Sequence, residues 1–137
     1  MLFRSDRVLQ HLRAAERFDL AGYVATAPFY AITGPEEIDA HFRAISAATE
    51  RPLWAYDLPV CVHTKLSPAQ LLRLGQDGVI TGVKDSSGDD VSFRRLASAN
   101  RAAGSPLTLL TGHEVVVDGA YLAGADEIGR ASCRERV

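Results

Sequence analysis

The chain contains two lysines, and one of them stands where a nucleophilic amine could be used. Lys84 ends the apolar segment 79–84, in which the period-two alternation of a strand places Gly82 and Lys84 on the same face. A lysine at such a point is partly desolvated, which favours the neutral amine that attacks carbonyl groups. The alternative interpretation is a cation at the end of a strand that pairs with Asp57 or Asp85. Thirteen arginines accompany the two lysines, and because arginine cannot form a Schiff base, a lysine at this position favours covalent chemistry.

Two tyrosines close apolar segments in a similar way. Tyr56 lies in LWAYDLP, and its phenol can both donate and accept a proton, so it could carry protons beside a lysine. The alternative for Tyr56 is a core ring with a solvated hydroxyl group. Tyr30 follows the first apolar segment in APFY, and its alternative is a loop aromatic residue at the surface or at a subunit contact.

Other motifs are weaker. No GxGxxG or GxxxxGK[ST] pattern is present, and Ser86 and Ser87 lack the glycines of a GxSxG nucleophile turn. His63 and His113 follow strands and could contact a substrate, and we found no metal-ligand spacing among the histidines and acids. The sequence therefore predicts neither a phosphate-binding loop nor a metal site.

Composition limits the class of protein. The chain has 137 residues, of which 47% are hydrophobic and 23% charged, with a net charge of −2. This composition excludes membrane, collagenous, disordered and disulfide-rich proteins, and a mildly acidic chain has no electrostatic reason to bind nucleic acid. The first residues lack the pattern of a signal peptide, so we expect a cytoplasmic protein that binds neither nucleic acid nor membrane.

Helical and strand patterns alternate along the chain. Helices are predicted over 5–18, 35–49, 67–75, 91–102 and 114–122, and strands over 23–27, 53–57, 79–84 and 107–111. Repeated strand–helix units with continuously apolar strands predict an α/β fold, a parallel sheet covered by helices. Either an open doubly wound sheet or part of a (β/α)8 barrel fits this order. In both, the site lies at the carboxyl ends of the strands, here segments 28–34, 57–63, 84–88 and 112–114.

The last ten residues differ in character from the rest. IGRASCRERV, residues 128–137, matches codon for codon the in-frame translation of a common sequencing adapter. If the adapter begins two bases earlier, it also supplies part of the codon for Glu127. We therefore expect a native segment 1–126 and a non-native tail 127–137, which is excluded from fold reasoning. Without residues 128–137 the net charge becomes −4, and Cys61 is the only cysteine that remains.

Four short motifs together resemble one family. PFY at 28–30, YDLP at 56–59, GVKD at 82–85 and TGHE at 111–114 are similar, in order and spacing, to the dihydrodipicolinate synthase/N-acetylneuraminate lyase family. The resemblance covers about residues 5–126. It implies a partial (β/α)8 TIM barrel, about strands four to seven with their helices, truncated at both ends, as a fragment of a single catalytic domain.

The resemblance also implies roles for particular residues. Lys84 matches the family's Schiff-base lysine and Tyr56 its proton-relay tyrosine. Tyr30 matches a second catalytic tyrosine, which would pass protons together with Tyr56 and which reaches into a neighbouring subunit's site. A homodimer or homotetramer is therefore implied for the intact protein. The implied substrate is pyruvate or a related 2-oxo acid, and no metal or organic cofactor is needed.

Four further positions are implied to bind substrate: Gly82, Gly112, His113 and Cys61. Cys61 stands where the synthase branch has a carboxylate-binding arginine, Asp57 replaces the usual asparagine, and His113 and Glu114 replace two acids. These departures favour the family's aldolases, which act on 2-oxo sugar acids, at least as much as the synthases.

The expected function is therefore that of a Schiff-base lyase or aldolase that makes or breaks a C–C bond. The alternative is a non-catalytic fragment, or a regulatory or binding relative without turnover. We expect the 137-residue chain by itself to be inactive, because part of its site is missing.

Overall fold

The computed structural model describes residues 3–29 and 34–128, with side chains from residue 5 onward. The helices are α1 (Phe3–Ala15), α2 (Pro35–Ser46), α3 (Pro59–Val62), α4 (Pro68–Gln76), α5 (Asp90–Ala102) and α6 (Val117–Ala123), with a 3-10 turn at Glu114–Val116. The strands are β1 (Tyr23–Thr26), β2 (Leu53–Asp57), β3 (Gly82–Asp85), β4 (Thr108–Thr111) and β5 (Glu127–Ile128).

The five strands form one parallel sheet in the order in which they occur in the sequence. A doubly wound sheet reverses its strand order at an internal switch point, and these five strands show no reversal. Uninterrupted sequential order is the arrangement of neighbouring strands in a (β/α)8 barrel. The sheet therefore resolves the two alternatives in favour of part of a barrel.

One face of the sheet is buried under the helices. Leu53, Ala55, Val83 and Leu109 are buried on this face, against the core side chains of the helices, which include Phe42 and Leu96. Residues on the other face are less covered, and the Val24 side chain on β1 is 62% exposed. The chain thus has one core layer, and the second face of its sheet carries the candidate chemistry.

Three helices begin near the residues that the sequence predicted, and each start is stabilised by a hydrogen bond from a backbone amide to a side chain. The carboxylate of Glu37 accepts a hydrogen bond from the backbone amide of Gly34 at 2.9 Å, before the proline that opens α2. Ser67 accepts from the amide of Gln70 at the start of α4, and Asp89 accepts from Ser92 at the start of α5. These contacts satisfy amides that lack a partner within the helix.

Several predicted boundaries were wrong. Residues 79 and 80 are buried but precede β3, because the amides of Val79 and Ile80 bond back to the carbonyl of Leu74 at the end of α4. No helix was predicted between the strand at 53–57 and the helix at 67–75, but the short helix α3 (Pro59–Val62) lies there and is opened by Pro59. The helix expected over 114–122 starts as a 3-10 turn.

A fifth strand was not predicted. Glu127 pairs with Leu110, and Ile128 pairs with Thr111, so the first two residues of segment 127–137 extend the sheet. The rest of that segment lies outside the described residues.

Within the described ranges, no helix combines the length and the apolar character that crossing a membrane requires.

Candidate active site at the carboxyl ends of the strands

Lys84 and Tyr56 lie side by side on the less covered face of the sheet. They are register partners on β3 and β2, and Nζ of Lys84 lies 4.5 Å from the centroid of the Tyr56 ring. Both side chains are partly buried. Thr26 on β1, Leu110 on β4 and Glu127 on β5 continue the same row across the sheet. The two residues that the sequence selected for chemistry are thus in contact.

Two residues before Tyr56 and Lys84, on the same face of the sheet, a close contact accounts for the glycine at position 82. Gly82 is the register partner of Trp54, and a Cβ atom at residue 82 would lie 2.5 Å from Cε3 of the Trp54 ring. The absence of a side chain at Gly82 therefore lets the indole ring lie against β3, two residues before Lys84. This contact is a packing reason for Gly82; its predicted part in substrate binding remains a prediction.

The other lysine lies on the opposite face. Lys65 forms an ion pair with Asp57, and its Nζ is 4.0 Å from Oδ2 of Asp85. Both aspartates project from the helix-covered face of their strands and are buried. The alternative interpretation of Lys84 as the ion-pair partner of Asp57 or Asp85 is therefore wrong, because strand alternation puts these carboxylates on the face that Lys84 does not occupy.

Burial raises the pKa of Asp57 above the usual range for an aspartate. The hydrogen bond and charge of Lys65 and the amide of Leu66 act against this rise, and the nearby carboxylate of Asp85 adds to it. The Asp57 side chain is 0% exposed, so the loss of hydration exceeds the gain from its partners.

Gly112 brings the end of β4 close to the end of β3. Its amide donates to the carbonyl of Asp85 at 2.7 Å, and a Cβ atom at residue 112 would lie 2.3 Å from Oγ of Ser86. A larger residue would push the β4 end away from the segment that follows Lys84. As with Gly82, the structure shows a close approach, and contact with a substrate remains a prediction.

His113 is held by an acid at the start of helix α5. Its Nδ1 lies 3.0 Å from Oδ1 of Asp90, the first residue of α5, and its backbone amide donates to Oγ1 of Thr111 at 3.1 Å. If Nδ1 carries the proton of the neutral ring, Nε2 is left as an acceptor. This arrangement matches a base oriented by a carboxylate, at the same edge of the sheet as Lys84.

Two other residues were predicted for the site, Cys61 and Tyr30. Cys61 is exposed on α3, after the end of β2. Tyr30 lies outside the described residues. Among the described residues, no group of three or more histidine, cysteine, aspartate or glutamate side chains could hold a metal ion.

Sequence reasoning missed two members of the site region. Lys65 was passed over because it lies in a loop, although two aspartates at matching strand ends signal a need for a cation. Asp90 was passed over because an acid at the first turn of a helix is common there for electrostatic reasons alone.

Comparison with known proteins gives a consistent result. The sequence model of the "Dihydrodipicolinate synthetase family" matches residues 8–133. The chain is 31% identical to 4-hydroxy-tetrahydrodipicolinate synthase 1 of Streptomyces coelicolor over 62% of its own length and 28% of that protein. It is 34% identical to a probable 5-dehydro-4-deoxyglucarate dehydratase 1 of the same organism, over 68% of the chain and 28% of the relative.

A solved structure extends the likeness to the fold. The dihydrodipicolinate synthase of Acinetobacter baumannii complexed with pyruvate superposes with a TM-score of 0.82 at 25% identity. The match covers 92% of this chain and 42% of that one. The chain thus spans less than half the length of these relatives, and the predicted partial barrel is confirmed.

Proposed function

Because the chain belongs to the dihydrodipicolinate synthetase family, we propose that the intact protein is a lysine Schiff-base lyase or aldolase acting on pyruvate or a related 2-oxo acid. "Intact protein" here means the gene product that contains residues 1–126 together with the remaining strands of the barrel. The turnover, the substrate and the assembly into a homodimer or homotetramer are all parts of this proposal.

The observation that carries the proposal is the separation of the two lysines. Lys65 is ion-paired with the buried carboxylate of Asp57 on the helix-covered face of the sheet, so its amine is engaged there and lies away from Tyr56. Lys84 has no ion-pair partner among the described residues and lies against Tyr56, a phenol that can pass protons. The sheet thus offers one amine for nucleophilic attack and ties up the other.

The reaction follows from this pair. The neutral amine of Lys84 attacks the ketone carbon, and the resulting carbinolamine loses its hydroxyl group as water when Tyr56 delivers a proton to that oxygen. The protonated imine then accepts the electron pair of the bond between its α- and β-carbons. A substrate with a hydroxyl group on the β-carbon, on losing that hydroxyl proton, therefore splits into an aldehyde and an enamine. Protonation of the enamine carbon and addition of water release the 2-oxo acid and restore the amine.

Charge at the strand ends favours an aldehyde partner without a carboxylate. Segments 28–34, 57–63, 84–88 and 112–114 contain no arginine, and Cys61 stands where the synthases of the family carry one. A second substrate with a carboxylate would lack a guanidinium partner there. A polyhydroxy aldehyde, whose hydroxyl groups can bind hydrogen-bonding side chains such as that of His113, fits these segments better.

Dehydration is the second candidate. The same imine withdraws electrons from the neighbouring carbon, so loss of a proton there can expel a hydroxyl group as water instead of breaking a C–C bond. The 34% identity to a probable 5-dehydro-4-deoxyglucarate dehydratase 1 supports dehydration as this second candidate.

Trapping tests the proposal. Sodium borohydride reduces the imine to a stable secondary amine, so pyruvate plus borohydride should leave a covalent adduct on Lys84 of the intact protein, located by peptide mass spectrometry. The adduct should be absent in Lys84→Ala and present in the control Lys65→Arg. An adduct that persists in Lys84→Ala, or that lies on Lys65, rejects the assignment.

The 137-residue chain alone is proposed to lack turnover. It supplies the amine and one proton carrier but spans less than half of its relatives. Aldolase turnover by this chain, measured with purified monomer, would overturn this part of the proposal.

A further inference from the structure

Two buried carboxylates stand directly behind the proposed reactive pair. Asp57 follows Tyr56 on β2, Asp85 follows Lys84 on β3, and the two aspartates are register partners as well. Because successive side chains alternate across a strand, the tyrosine and the active lysine face one side and both aspartates face the other. The spacing of the second pair is therefore tied to the spacing of the first.

Lys65 lies between the two carboxylates. It is ion-paired with Oδ2 of Asp57, its Nζ is 4.0 Å from Oδ2 of Asp85, and it donates a third contact to the carbonyl of Leu66 at 3.1 Å. The remaining oxygens are also satisfied: Oδ1 of Asp57 accepts from the Leu66 amide, and Oδ1 of Asp85 accepts from the amide and hydroxyl of Ser87. The cluster carries two potential negative charges and one positive charge.

Without this cation the arrangement is unfavourable. Two carboxylates at the ends of neighbouring strands, one fully buried and one nearly so, repel each other strongly in a medium of low dielectric constant. The ends of β2 and β3 can reduce the repulsion only by moving apart or by binding a proton. Either response alters the place where Tyr56 meets Lys84.

We propose that Lys65 is a positioning residue for the Schiff-base reaction, which sets the distance between Tyr56 and Lys84 by holding Asp57 and Asp85 together on the far side of the sheet. The inference rests on the proposed function for its chemical consequence, whereas the clamp itself is a property of the fold. Since Lys65 is on the helix-covered face, it does not touch the substrate. Its loss should slow the chemical step and leave pyruvate binding unchanged.

The test compares three variants of the intact protein. Lys65→Met removes the cation, Lys65→Arg keeps it, and Asp57→Asn/Lys65→Met removes a carboxylate together with its cation. The rate of borohydride trapping is measured against pyruvate concentration, which separates the rate at saturation from the half-saturating concentration.

We expect Lys65→Met to lower the saturating rate about 10- to 100-fold, with less than about a twofold change in the half-saturating concentration, since a misplacement of about 1 Å costs that much. Lys65→Arg and the double variant should recover most of the rate. An unchanged rate in Lys65→Met, or a double variant as slow as the single one, overturns the proposal. If Lys65→Met does not fold, a double variant that folds but remains slow overturns it as well.

A second measurement separates this inference from the proposed function. Ser86 and Gly112 donate backbone hydrogen bonds to Asp57 and Asp85 at 2.9 and 2.7 Å, so their amide hydrogen exchange reports on the strand ends without any substrate. Lys65→Met should speed exchange at both amides and leave the distant Tyr23 amide unchanged. Equal exchange in wild type and variant overturns the clamp even where trapping succeeds. Faster exchange in a protein that pyruvate does not label supports the clamp and rejects the Schiff base.

Discussion

Nζ of Lys84 lies over the ring of Tyr56, 4.5 Å from the ring centroid, and the two residues are register partners on adjacent parallel strands. The face of an aromatic ring attracts a cation and does less for a neutral amine. Tyr56 therefore has two distinct features beside Lys84: the ring, against which Nζ lies, and the hydroxyl group, which can move a proton. A substitution that removes the hydroxyl group and keeps the ring separates the two features experimentally.

Tyr56→Phe keeps the ring and removes the hydroxyl group. We expect the rate of imine formation with pyruvate to fall about 10²- to 10⁴-fold, the usual contribution of a positioned acid or base, while the midpoint of thermal unfolding changes little. Rapid-quench borohydride trapping measures the rate. Tyr23→Phe, on the other face of β1, is the matched control and should react like wild type. Equal rates in Tyr56→Phe and wild type would remove the hydroxyl group from the mechanism.

Gly82→Ala tests the contact with Trp54. The added Cβ would meet the indole ring at 2.5 Å, and overpacking of this kind costs about 1–3 kcal/mol of unfolding free energy. Gly34→Ala is the control, because nothing lies within 4 Å of its added Cβ and its backbone is extended. Its cost should stay below about 1 kcal/mol, from the weaker helix start. Urea unfolding measures both, and equal costs would contradict the packing argument.

Asp57 gives the stability a defined pH dependence. Its pKa is raised in the folded chain, mainly by burial, so the folded state keeps a proton that the unfolded state loses near pH 4. This group's contribution to stability is therefore present below about pH 4 and is lost as the pH rises through the raised folded pKa.

Asp57→Asn cannot lose that contribution, so its unfolding free energy relative to wild type should increase as the pH is raised from about 4 to 8. Urea unfolding at several pH values measures the difference. Glu50→Gln, at an exposed glutamate, is the control for removal of a charge. A difference that decreases with rising pH would mean that the folded pKa is lowered instead.

His113 and Asp90 should affect the choice of aldehyde. His113→Gln keeps a hydrogen-bonding side chain and removes the imidazole that Asp90 orients at 3.0 Å. We expect kcat/KM for the preferred hydroxylated aldehyde to fall about tenfold, the worth of one hydrogen bond to the substrate, with pyruvate trapping unchanged. Asp90→Asn should lower kcat/KM for this aldehyde by a smaller factor than His113→Gln does. A panel of aldehydes of different length checks this, and loss of pyruvate trapping in His113→Gln would place the residue in the first step instead.

Asn100 ties α5 to the start of β4. Its buried side chain donates to the carbonyl of Leu107 at 2.8 Å and accepts from the Leu107 amide at 3.0 Å. Asn100→Ala should cost about 3 kcal/mol, because two backbone groups lose their partners. Ser98→Ala, on the exposed side of the same helix, should cost less than about 1 kcal/mol. Thermal or urea unfolding compares them.

Most of the alternation of strands and helices was readable from the sequence, because β1 to β4 lie in short apolar runs and α2, α4 and α5 begin with a cap residue or a first-turn proline. The sequence left an ion pair between Lys84 and Asp85 open, and the structure rejects it by pairing Lys65 with the aspartates on the opposite face. The resemblance of four motifs to one family then selected the barrel, which periodicity alone left open. These features depend on neighbouring residues, and sequence patterns report them well.

Features that depend on distant residues were missed. Val79 and Ile80 have the composition of a strand, and only the bonds of their amides to Leu74 keep them out of β3. Lys65 is eight residues from Asp57 in the sequence and meets both aspartates only because β2 and β3 pair in one register. No local pattern indicates such a contact.

Sequential strand order has a consequence for how the chain acquires its structure. Each strand pairs with the strand before it, and none of the pairings closes a longer loop than the one between Tyr23 and Leu53. Contacts between residues close in sequence form quickly because they cost little chain entropy. The strands can therefore pair in the order in which they are synthesised. Each new strand can pair with the preceding strand, which has already left the ribosome.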